Sequence, residues 1–360
     1  MNGNVLLTLL QFVLVLGFLI FAHEFGHYII ARLFKIEVEE FGFGFPPRAK
    51  KLFTFKGTDF TLNWIPFGAF VRPKGENDPE TPGGLASANV WVRLAVLLGG
   101  PVTNLLVGFL LFTVLFSRIG SPDPTRVQIE AVTAGSPAAV AGILPGDLVL
   151  EVDGQKITSM EVLHQLITDN TGKEITVQVN RGTEIVQMKM TPRANPPEGE
   201  GPIGIVMGNP YKPITLLQAL PMAGLTTVDL SVQTVLMPVR LIRGDVPAEQ
   251  ARVVGPIGIF SIYRAASDRD LEAQSMPVRQ PAASVLTFIA YISVALGITN
   301  LLPIPALDGG RILFILPEII FRKRVPAKYE NFVHMIGFTA LLLFMAFVTL
   351  QDVINPIKIP

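Results

Sequence analysis

The 360-residue chain has no cysteine. That excludes a disulfide framework and any thiolate metal ligand, so only His, Asp or Glu is left to hold a metal. Histidine is scarce too: His23, His27, His164 and His334 are the full set. Charged residues make up 16% of the chain, against about 25% in soluble domains. Lys+Arg and Asp+Glu both number 29, so no basic excess attracts nucleic acid. Two Trp and five Tyr leave little for an aromatic belt at a membrane face. What fills the chain is apolar: 49% of residues, with a mean hydropathy of +0.47. The expected fold class is a polytopic α-helical membrane protein.

Four apolar runs are long enough to span a bilayer, at residues 5–34, 92–116, 285–302 and 332–350. The first is read as a retained span: no Lys or Arg precedes Arg32, and no small-residue cleavage pattern follows. Residues 214–241 carry Asp229, Gln233, Pro221 and Pro238, and are expected to lie at the interface. Basic residues gather between spans one and two and again between spans three and four (Arg311, Arg322, Lys323, Arg324, Lys328). None precedes span one, and Lys358 alone follows span four. This bias places both basic loops in the cytoplasm and both termini outside, across a cell (inner or plasma) membrane.

The expected layout follows. Residues 1–36 are span one, and 37–90 a cytoplasmic, membrane-associated β loop, aromatic and alternating. Residues 91–118 are span two. Residues 126–208 form a small extracytoplasmic α+β domain, with strand-like runs at 127–132 and 148–152 and a hairpin around "NRGT". An amphipathic linker covers 209–283, span three 284–308, a cytoplasmic loop 309–330 and span four 331–352.

Span one contains "AHEFGH". His23 and His27 are four apart and share a helix face, where two imidazoles can bind one zinc ion. Glu24 is placed to act as the base toward the attacking water. With so few histidines, this pattern arises by chance in about 0.4% of chains of this composition. Ionisable residues at membrane depth are costly and mark function. Zinc needs a third protein ligand. His164 lies on an apolar helical stripe and reads as a domain histidine; His334 reads as an interfacial one. Asp308, in "LPIPALDGG", follows span three at the same depth as the two histidines and is the expected third ligand.

With these residues in view, the chain resembles the site-2 protease family of intramembrane zinc metalloproteases, in its bacterial RseP-type branch. The resemblance rests on "AHEFGH", the loop ending "IPFGAFV", "GGPVTN", "SPAAVAGILPGD" with "VDG", "VVGPIGI" and "LDGGR". It implies one Zn2+ per chain, held by His23, His27 and Asp308, with Glu24 as catalytic base. It implies substrate-binding roles for Asn104 and Asn300. A substrate span must be unwound to be cut, and Gly68 and Phe70 lie in the β loop expected to hold it extended. The 126–208 domain would be a single PDZ domain, where the best-known relatives have two. Its ligand loop would contain Gly201, Ile203, Gly204 and Ile205, taking peptide C-termini or screening trimmed ectodomains. The implied activity is endoproteolysis of single-span membrane proteins after prior trimming, such as anti-sigma factors or signal-peptide remnants. Membrane lipids are the other expected partners. A non-catalytic PDZ-bearing chaperone or scaffold is the alternative; a metal-ion carrier would need acidic residues inside spans two to four, which have none.

Overall fold

The computed structural model describes residues 2–76, 78–197, 199–246, 252–275 and 283–357. In chain order, α1 (Asn2–Leu33) leads to two long strands, β1 (Val38–Phe55) and β2 (Thr58–Pro73), and then to α2 (Val90–Ile119). A run of short elements follows: β3 (Ser121–Pro122), β4 (Val127–Val132), α3 (Pro137–Ala141), β5 (Leu148–Val152), β6 (Gln155–Lys156), α4 (Met160–Asp169), β7 (Ile175–Arg181), β8 (Glu184–Met190), β9 (Ile205–Gly208) and β10 (Tyr211–Lys212). The chain closes with α5 (Leu216–Arg243), α6 (Pro256–Ser275), α7 (Ser284–Leu301), α8 (Asp308–Phe321) and α9 (Ala327–Ile354). Ser117–Thr215 form one compact unit, and the chain on either side of it forms the other.

In the larger unit, helices cross where side chains are smallest. A β-carbon on Gly99 of α2 would come within 3.0 Å of the Gly26 backbone of α1. Gly297 of α7 faces the Pro101 carbonyl, and Val294 fills the space beside Gly108. Removing side chains in this way lets apolar helices approach closely without a hydrophobic drive between them. Ser293 Oγ donates to the Asn104 carbonyl at 2.7 Å. Residues 101, 104 and 108 thus meet 297, 293 and 290–294, so α2 and α7 run antiparallel.

Helix α6 packs Tyr263 with Phe12 of α1 and Phe288 of α7. Its Asp270 accepts from Ser284 N and Val285 N, capping α7. Asp352, buried near the end of α9, accepts from Gly258 N at 2.8 Å and pairs with Arg252, capping α6 in turn.

The two long strands do more than form a hairpin. Phe41 pairs with both Val71 and Phe60, and Gly42 with both Phe70 and Thr61. The start of β1 therefore lies between the two halves of β2, and residues 69–73 are an outer edge. Gly68, at φ +85°, turns the chain into that edge. Buried Glu40 ties the layers together, accepting from Thr61 Oγ1 (2.7 Å), Arg48 Nε (3.0 Å) and Arg72.

The Ser117–Thr215 unit has its own core, centred on Val127, Ile129, Val152, Val177 and Val179. Its antiparallel sheet has the order β8-β7-β5-β4-β9, with β6 on β5 and β9 at one edge. Ser136 and Ser159 cap α3 and α4 through their hydroxyls. The buried Asp147 carboxylate accepts from Arg181 at 2.7 and 2.8 Å and from Leu144 N at 2.9 Å.

The layout differs from expectation in three places. Among the described residues five helices, not four, are long and apolar enough to cross a membrane, and the addition is α5, in the expected interfacial linker. The rest of that linker contains helix α6; its residues 247–251 and 276–282, like Lys358, lie outside the described residues. The loop expected at 309–330 is mostly helix α8, and span three ends at Leu301 rather than running to Asp308.

Candidate metal centre

Helix α1 places His23 and His27 one turn apart and buried, with their Nε2 atoms 3.2 Å from each other. Asp308 is the first residue of α8, and its Oδ2 lies 3.1 Å from His23 Nε2 and 3.4 Å from His27 Nε2. Donors at zinc-ligand distance on a tetrahedron sit about 3.4 Å apart, so this triangle has the size to hold one ion. Asp308 Oδ2 is buried and accepts no hydrogen bond among the described residues. A carboxylate oxygen buried without a donor is costly unless a cation meets it. Among the described residues this is the one cluster of at least three such ligands.

The imidazoles are oriented from behind. His27 Nδ1 lies 2.7 Å from the Val96 carbonyl, which can only accept, so Nδ1 carries the hydrogen and the Nε2 lone pair faces the site. His23 Nδ1 lies 3.4 Å from the side-chain amide of buried Asn104, whose other amide atom has no partner among the described residues. Turning that amide over presents its oxygen to the Nδ1 hydrogen, and Nε2 is again left to ligate. Gly100 makes room for both rings: a β-carbon there would meet His23 Nε2 and Cε1 at 2.8 Å.

Glu24 is held from a different element. Its Oε2 accepts from Val71 N at 3.0 Å, on the outer edge of β2. The carboxylate beside the metal ligands is thus joined to the sheet edge by one backbone bond. The Phe70 ring occupies the space a side chain on Gly42 would need, and a β-carbon on Gly68 would meet the Phe45 ring at 2.6 Å. Asn300 is half-buried in the last turn of α7 and is not among the groups bonded to the cluster.

The loop carrying Asp308 folds back on the end of α7. A β-carbon on Gly310 would meet Ile304 C at 2.9 Å and Pro305 Cα at 3.0 Å, so α8 can begin there only with glycine. His334 accepts from Ala306 N within this loop, where the sequence suggested an interfacial histidine. His164 is on α4 and outside the cluster. In the Ser117–Thr215 unit, Gly201 is exposed, Ile203 and Gly204 are buried, and Ile205 opens the edge strand β9. Thr133 N donates to Gly204 O and Ala138 N to Ile203 O, which pins the loop to the body of the unit.

Residues 11–344 match the family model described as peptidase family M50. The chain belongs to peptidase family M50. An M50 relative from Clostridium perfringens, named "Putative zinc metalloprotease", is 32% identical over 342 residues, covering 94% of this chain and 96% of the relative. One from Clostridium acetobutylicum with the same description is 30% identical over 99% of this chain and 98% of its own. The PDZ domain of an SdrC-like protein from Listeria monocytogenes is 25% identical over 23% of this M50 chain and 87% of that domain, with a TM-score of 0.21. This M50 member is a site-2 type metalloprotease and an integral membrane protein.

What sequence reasoning missed at the M50 site is mostly backbone. The Val71 N–H and the Val96 carbonyl have no signature in side-chain identity. The histidine spacing, the "LDGG" turn and the "GGPVTN" motif were the signals that could be read.

Proposed function

We propose that the protein is an intramembrane zinc endopeptidase that cuts trimmed single-span membrane proteins, with one zinc ion per chain. The observation that carries this reading is the meeting of Asp308 Oδ2 with both histidine Nε2 atoms beside Glu24. His23, His27 and Asp308 would hold the ion. A zinc ion bound there would supply Lewis acidity toward a water and a peptide carbonyl. Glu24 takes the water's proton and delivers it to the leaving amine nitrogen, as a general base turned general acid. Val96 and Asn104 hold the imidazoles in the ligating tautomer; for Asn104 this geometry favours a positioning role over direct substrate binding.

A helical peptide bond is shielded by its own hydrogen bonds. The outer edge of β2, with Gly68 and Phe70, would receive the unwound substrate as an added strand next to Glu24. Asn300 would contact substrate from the end of α7. The basic loops favour a cytoplasmic address for the active site, with both termini and the PDZ-like unit outside. The loop at Gly201, Ile203, Gly204 and Ile205 would take a peptide C-terminus or screen ectodomain size. Candidate substrates are anti-sigma-type proteins and signal-peptide remnants.

Glu24→Gln is expected to keep bound zinc and lose about 10³-fold in cleavage of a reporter span in detergent. Cleavage near the wild-type rate would refute Glu24 as the base. Asp308→Ala is expected to lose the metal, read by elemental analysis.

A further inference from the structure

The loop that delivers Asp308 contains a residue in an unfavourable conformation. Ala306 has φ +82°, in the left-handed region where a β-carbon is penalised. Two residues later, Asp308 opens α8 with Oδ2 against both histidines. Non-glycine residues persist in this region when their surroundings over-determine them.

Helix α9 supplies those surroundings at two points. Ala306 N donates to His334 Nδ1 at 2.9 Å. Three residues on, Gly337 leaves room for Pro305: a β-carbon there would meet Pro305 C and O at 2.9 Å. The Phe314 ring of α8 lies 5.6 Å from the imidazole and limits its tilt. His334 Nε2 is buried and has no partner among the described residues. Because Nδ1 accepts, the hydrogen of the neutral ring resides on Nε2. A buried N–H left unsatisfied is unfavourable, so the bond this ring contributes is the one at Nδ1.

We propose that His334 is a positioning residue for the metal centre: by accepting from the Ala306 N–H it holds the left-handed turn that points Asp308 at the ion. The inference rests on the reading of Asp308 as a zinc ligand. It makes distinct demands on substitutions. Asn places its Oδ1 where Nδ1 stands and keeps the acceptor. Phe keeps a ring against Phe314 and has none. Glycine at 306 adopts φ +82° freely, so it relaxes the need for the bond.

The test measures zinc affinity of the full-length protein in detergent by competition with a chelator, together with the visible spectrum of the Co²⁺-loaded form. His334→Phe is expected to weaken zinc by about tenfold or more and shift the Co²⁺ bands, while His334→Asn stays within about threefold of wild type. In an Ala306→Gly background the loss from His334→Phe should shrink to about threefold or less, the signature of coupling through this turn. An undiminished loss in that background overturns the proposal, and so does wild-type affinity in His334→Phe. Should the Phe variant not fold, Asn and Gln decide: Gln Oε1 mimics Nε2 rather than Nδ1, and equal affinity in the two variants overturns the proposal. Asp308→Ala separates the two readings. Zinc retained by that variant refutes the ligand assignment itself; zinc lost by it, with His334→Phe unaffected, refutes only the role of His334.

Discussion

At the scale of single residues, the least visible group with the largest consequence is the Val71 N–H. It lies on the open edge of β2 and gives its hydrogen to Glu24. Proline is tolerated on strand edges because no ladder bond is lost. Val71→Pro should therefore leave the hairpin and bound zinc intact while removing one hydrogen bond to a charged group. Such bonds contribute about 1.5–3 kcal/mol, so kcat/KM for a reporter span should fall about 10- to 100-fold. A kinetic profile indistinguishable from wild type would show that the bond has no part in catalysis. The division between legible and illegible runs through this contact. His23, Glu24 and His27 could be read because helical periodicity converts their spacing into a shared face. Asp308 could be read because its place after span three fixed its depth. The Val71 N–H could not, since every residue but proline has one and only the doubled register of β1 and β2 decides which is left free.

At the scale of elements, the helices of α1, α2, α7 and α9 follow from hydropathy, and β4, β5 and the β7–β8 hairpin follow from alternation and turn residues. Helix α8 was hidden. The Asp-Gly turn signal and the basic residues after it suggested a loop, whereas Gly309 and Gly310, lying against the backbone of residues 301–305, let a helix start at Asp308. Helix α5 poses a different question. It is 28 residues long and carries Pro221, Asp229 and Pro238. Since α2 and α7 are antiparallel, the chain between them must begin and end on the same side of the membrane. Among the described residues α5 is the one helix in that stretch that could cross, so a lone crossing is excluded by parity. It is expected to lie along the interface. The cysteine-free chain makes the check direct: single cysteines at exposed Leu217 and Ile242 should react with an impermeant thiol reagent from the same side of sealed vesicles. Labelling from opposite sides would show that α5 crosses and would overturn the interfacial reading.

At the scale of the whole molecule, the Ser117–Thr215 unit has a core of its own and an ion pair of its own. Burial pushes the Asp147 carboxyl up, but the Arg181 guanidinium and the Leu144 N–H prevail and hold it below its usual 3.8. A depressed carboxylate contributes stability that is present above its unfolded pKa and lost as pH falls through the folded one. Hydrogen-exchange protection of this unit should stay level from about pH 8 to pH 5 and decline below about pH 4. Asp147→Asn should lose about 2–3 kcal/mol of that protection at neutral pH and flatten the acid decline. Unchanged protection in the variant would show that the pair is energetically silent.

The donors of the metal cluster come from opposite ends of the chain, two from α1 and one from the first residue of α8. Two histidines on one helix are too few to retain zinc firmly. A copy interrupted just short of residue 308 during synthesis would therefore carry Glu24 and helices α1, α2 and α7, yet lack the third donor of the proposed zinc site. On the proposed reading the order of translation is itself a restraint: the protease becomes armed only after α1, α2 and α7, which surround the cutting site, have been made.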